Sequence, residues 1–190
     1  MPLFILPLGV LTCSALLGLI GSLSVDVGDH DLCEAATILF STKPLIAATK
    51  EVDPGAQIVI QPIDELDPEL QPHIVSGGSP GGSVHLGDRG YLVWVDQSQV
   101  STGQMGDLVA VLAHEIYGHV LPHLNNPERA FPEPCTDRID HPEDVPCAVR
   151  RENEVRRSLN LPARPHYETP ALIGPSHDPS PDPRESCPDG

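Results

Sequence analysis

The chain has 190 residues, with 11 Lys and Arg against 27 Asp and Glu and a formal net charge of −16. Phosphate backbones and anionic headgroups repel such a chain, which argues against nucleic acid and against electrostatic docking to a membrane. With 22 Pro, 16 Gly and 4% aromatic residues, one large close-packed core is excluded, and a modest α+β domain with long irregular connections is what remains.

Residues 2–25 carry no charged side chain. The apolar run is long enough to cross a bilayer, and Ser22-Leu23-Ser24 offers a small-x-small cleavage site. Residues 1–24 therefore read as a signal peptide or membrane anchor, which places the rest outside the cytoplasm, secreted or anchored through residues 3–25. Of five cysteines, removal of Cys13 leaves Cys33, Cys135, Cys147 and Cys187. Cys135 and Cys147 bracket an acidic, Pro-rich stretch that a disulfide would staple by about 3 kcal/mol.

Residues 31–40 read as a short helix, with a second piece after Pro44. Residues 56–62 read as a strand, residues 76–83 as a Gly/Ser loop, and residues 84–86 and 91–96 as a hairpin turning at Gly87-Asp88-Arg89-Gly90. The sheet is expected to be short and mostly antiparallel, with residues 91–96 packed in the core; the alternative is a sheet edge that holds an extended substrate. A helix capped by Ser101 or Thr102 runs from 104 to 121, where Pro122 stops it. Another spans 146–160. The Pro-rich acidic residues 168–190 read as a disordered tail, which leaves 25–167 as one domain.

The helix before Pro122 is apolar nearly all round, yet it carries His114, Glu115 and His119. Buried unpartnered, these groups are costly, and a divalent cation offsets that cost. Two imidazoles bind Zn2+, and a neighbouring carboxylate accepts a proton from water. In H-E-x-x-H the two rings lie about 40° apart around the helix, but in the H-E-x-x-x-H found here an ideal helix separates them by about 140°. One extra residue taken up as a π-bulge near Tyr117-Gly118 restores a shared face, and Gly118 is the residue to ease it.

A third ligand is needed. On the 146–160 helix, Ala148, Val155 and Leu159 define an apolar face that includes Glu152, while Glu154 faces solvent. Glu152 is the expected third ligand, and a buried arginine is its alternative partner. His123 and His141 compete for the same role. His166, Tyr167 and Tyr117 are candidate donors to an oxyanion.

His114-Glu115-Ile116-Tyr117-Gly118-His119 with a downstream helical glutamate resembles the gluzincin group of zinc metallopeptidases, its spacing being the H-E-x-x-G-H form of dipeptidyl peptidase III. Residues 151–156 with 161–167 resemble the small metallopeptidase domains of bacterial polymorphic toxins and secreted effectors. The resemblance implies a zincin-like fold with a buried motif helix and a second ligand helix. It also implies Zn2+ on His114, His119 and Glu152, Glu115 as general base, and a peptide or protein substrate. A monomer is expected. The rival readings are a non-catalytic zinc module closed by His123 and a disulfide-stapled secreted binding domain.

Overall fold

A computed structural model describes residues 23–68, 79–88, 90–100, 105–128 and 147–164. The signal or anchor segment up to Ser22, the oxyanion candidates His166 and Tyr167, His141, and the tail 168–190 lie outside the described residues. Among the described residues no helix is long and apolar enough to cross a membrane.

In chain order the elements are β1 (Ser24–Val27), α1 (His30–Phe40), α2 (Lys43–Ala48), β2 (Gln57–Pro62), a 3-10 turn (Ile63–Glu65), β3 (Gly81–Gly87) and β4 (Gly90–Val95). There follow α3 (Met105–Leu112), a π-helical segment (Ala113–Val120), α4 (Leu121–Asn125) and α5 (Cys147–Ser158). The α+β class holds. The strands form one sheet in the order β1-β2-β4-β3.

The expectation of a mostly antiparallel sheet is corrected. β1 pairs with β2 and β2 with β4 in parallel, and only the β3–β4 hairpin is antiparallel. The parallel pairs follow from crossovers: α1 and α2 carry the chain from β1 back to β2, the kind of connection parallel strands require. β1 was hidden because it begins inside the apolar run. Leu23 is 2% exposed and Ser24 N donates to Ala56 O at 2.9 Å, so both residues belong to the fold.

α1 forms because Asp29 caps it, its Oδ1 accepting from Asp31 N and Leu32 N at 2.9 Å each. Its buried residues Leu32, Ala35, Ala36, Leu39 and Phe40 follow the i, i+3, i+4, i+7, i+8 pattern of one helical face. That face meets Val25, Ile58, Ile60, Val93 and Val95 of the sheet and Leu108, Leu112 and Ile116 of the long helix in one core. On the opposite face of the sheet, Leu92 and Trp94 pack with Leu66.

One further reading changes. Gly81–Ser83, expected as loop, opens strand β3. A Cβ at Gly81 would lie 2.5 Å from Val111 Cγ1, so the glycine is there for close approach of strand and helix rather than for flexibility. β4 is flanked on both sides, by β2 and β3, and is almost wholly buried, so the core reading of residues 91–96 holds and β3 is the edge.

Candidate metal centre and its neighbours

The predicted bulge is an entire π-helical segment, Ala113–Val120, continuous with α3 before it and α4 after it. The wider turn brings His114 and His119, five residues apart, together. Their Nε2 atoms are 3.3 Å apart and their rings 5.0 Å, edge to face. Gly118 lies inside this segment and has a second task. A Cβ there would meet Ala148 Cβ at 2.9 Å and Ala148 Cα at 3.1 Å, so Gly118 admits α5 against the π segment.

Pro122 does not end the helix, which continues as α4 to Asn125. The missing Pro N–H offers nothing to Gly118 O four residues back, and Arg151 Nη1 donates to that carbonyl at 3.0 Å instead.

Glu152 lies on the buried face of α5, as expected, and is 0% exposed. Its Oε2 accepts from His114 Nδ1 and from Arg164 Nη1, both at 3.1 Å, and its Oε1 from Arg156 Nε at 2.6 Å. Glu152 thus approaches His114 from the nitrogen opposite the one that faces His119. The buried arginine is realised as Arg156. Burial alone would raise the Glu152 carboxyl, but the hydrogen bond from His114 and the charges of Arg156 and Arg164 more than offset it and hold the group below its usual range. The carboxylate can only accept, so in the neutral His114 ring the proton sits on Nδ1 and the lone pair on Nε2, toward His119. Burial above all pushes the His119 imidazole down to about 4, with smaller pushes from His114 whenever that ring is protonated and from the charge of Arg151, which keeps His119 neutral and able to donate a lone pair.

Two nitrogens bound tetrahedrally to one zinc at about 2.0–2.1 Å lie about 3.3–3.4 Å apart, and the observed Nε2 separation meets that. The pair therefore fits two ligand positions of one cation. Among the described residues no group of three His, Cys, Asp or Glu side chains forms a metal cradle.

Glu115, beside His114, is buried, and its Oε2 accepts from Ser83 Oγ at 2.9 Å. Burial raises its carboxyl above the ordinary range, and His114 and the Ser83 hydrogen bond oppose that rise only in part. Tyr117 donates its hydroxyl to Glu154 Oε2 at 2.7 Å, with Glu154 exposed as expected. His123 does not join the His114–His119 pair: its Nδ1 lies 2.6 Å from Tyr91 Oη, and its ring meets His85 edge-on. The expected Cys135–Cys147 disulfide is absent because Cys147 is a buried thiol. Cys33 is the disulfide-bonded cysteine among the described residues.

Sequence reasoning missed Ser83, Arg156 and Arg164. Arg156 had a signal, since it follows Glu152 by the helical four residues. Ser83 and Arg164 had none, because only packing brings them to the site. Comparison with known proteins matches the chain to no family model, no curated protein and no solved structure, so the reading of this site rests on its own geometry.

Proposed function

We propose that the chain is a metal-dependent peptide hydrolase, with His114 and His119 as imidazole ligands of a divalent cation, Zn2+ first, and Glu115 as general base. The observation that carries the reading is the 3.3 Å approach of the two Nε2 atoms, side by side with a buried carboxylate. It agrees with the gluzincin-like pattern of the motif. Zn2+ supplies Lewis-acid polarisation of a scissile carbonyl and acidifies water.

The chain's own residues do the rest. Glu152, backed by Arg156 and Arg164, holds the His114 ring and its tautomer from behind, a carboxylate–histidine arrangement that orients a ligand. In this reading Glu152 is a positioning residue. Glu115 accepts the proton of the attacking water and returns it to the leaving amine. Ser83 holds the Glu115 carboxylate in place. His166 and Tyr167 stay the sequence's candidates for the oxyanion donor.

Elemental analysis of the full chain tests the reading, with one zinc per chain expected. Cleavage of a quenched-peptide library completes the test. Glu115→Gln should lower turnover by about 10²–10⁴-fold while zinc stays bound. A protein without stoichiometric zinc, or a Glu115→Gln variant as active as the parent, overturns it. The rival is a plain buried polar network, in which His119 and His114 simply hydrogen-bond at 3.3 Å; absence of zinc favours it.

A further inference from the structure

Beside this site lies a cavity of about 400 Å3, within the size range of ligand pockets. Its lining shares no residue with the proposed centre, but two elements run from one to the other. His85 lies two residues past Ser83 on the same face of β3, about 7 Å along the strand. His123 lies four residues past His119, about one helical turn on.

The floor of the cavity is aromatic and polar. Tyr91 and His123 are buried at 2% and 6% exposure and hydrogen-bonded to each other at 2.6 Å. His85 stacks on Tyr91 with centroids 4.9 Å apart and meets the His123 ring at 5.1 Å. Ala56, Leu124 and Pro127 supply an apolar wall. Asp53 and Asp88, both exposed, supply two carboxylates.

An apolar wall suits an alkyl stem. Exposed carboxylates at the rim suit a cationic head, through charge. The same carboxylates repel an anion and gain nothing from a purely aliphatic group. We infer that this cavity receives an arginine or lysine side chain of the peptide substrate, next to the bond that Glu115 serves. The inference rests on the proposed hydrolase reading for its substrate, and on the cavity alone for its charge preference. The net charge of −16 draws the same cationic peptides toward the surface.

The test uses the full chain at pH 8 with two probes, N-acetyl-arginine methylamide and its neutral citrulline counterpart, read by NMR shifts of the Tyr91, His85 and His123 rings. The arginine probe should bind at least ten-fold more tightly. Asp88→Asn should erase the difference. Asp88 sits at φ 42°, a left-handed conformation that Asn tolerates, so this variant keeps the turn, and Asp53→Asn provides a second, independent change.

Quenched peptides differing only by arginine or citrulline at one position should show at least a ten-fold preference in kcat/KM that collapses in Asp88→Asn. Equal binding of the two probes, or a preference that survives both variants, overturns the inference. Peptides cut with no charge preference overturn it while leaving the hydrolase reading in place. Probe selectivity with no peptide cut does the reverse: the cation pocket stands and the hydrolase reading falls.

Discussion

Ser83 Oγ gives its hydrogen to Glu115 Oε2 at 2.9 Å, and this bond, after the charge of His114, opposes the upward push of burial on the carboxyl. A general base works only when deprotonated, so the acid limb of the kcat/KM profile should lie above the ordinary carboxylate range. Ser83→Ala removes a bond that favours the charged form. The limb should then move further up, with kcat/KM at neutral pH falling about ten-fold or more, given the worth of a hydrogen bond to a charged group. A pH profile of parent and variant checks this; an unmoved limb would mean that Ser83 does not reach the working carboxylate.

His119 gives a stability prediction of definite sign. Its folded-state value is about 4 against an ordinary 6.5, so the neutral form is the one the fold favours. The associated stability is present above pH 6.5 and is lost as pH falls from 6.5 through about 4. Each pH unit in that window costs up to about 1.4 kcal/mol. Urea unfolding of chelator-treated protein should show that slope, and His119→Gln should flatten it.

At the scale of elements, the π segment is what makes a five-residue histidine spacing useful. The motif and the bulge near Tyr117-Gly118 were legible from the arithmetic of helical turns, because His114 and His119 cannot share a face of an ordinary α-helix. The contact of Gly118 with α5 was not legible, since nothing in its neighbourhood along the chain announces Ala148. Replacing a helical Gly by Ala ordinarily gains about 0.5–1 kcal/mol. At Gly118 the added carbon would crowd Ala148 Cα at 3.1 Å and Ala148 O at 3.3 Å. These are backbone atoms that cannot swing aside, so overpacking of about 1–3 kcal/mol should win. Gly118→Ala should melt several degrees below the parent, and a higher melting temperature would show that α5 yields. The continuation through Pro122 has the same character: the helix survives because Arg151, from another element, serves the carbonyl that proline leaves.

Across the whole molecule, Glu152 ties α5, the motif helix and the segment carrying Arg164 into one buried network. Glu152→Gln keeps the shape and removes the charge. It should cost about 3 kcal/mol, because Arg156 is left buried against a neutral amide. It should also weaken zinc binding by about ten- to hundred-fold, the usual effect of removing a carboxylate that orients a ligand. Denaturation curves and zinc titration measure the two effects, and complete loss of zinc in a folded variant would instead make Glu152 a direct ligand.

Local chemistry is what the chain alone determined: α1 and α2, the 84–96 hairpin, the histidine–glutamate helix with its widened turn, and Glu152 on a buried face. Each is written in spacings of a few residues, where periodicity and turn preferences act. Tertiary packing decided the rest. It made β1 a partner of β2 in a largely parallel sheet, β3 the edge, and Ser83 the neighbour of Glu115. It turned Glu152 toward Nδ1 of His114, and it moved His123 into a separate cluster with Tyr91 and His85. Those contacts join residues 32 or more positions apart, and no local pattern encodes which distant side chain will stand at the end of a hydrogen bond.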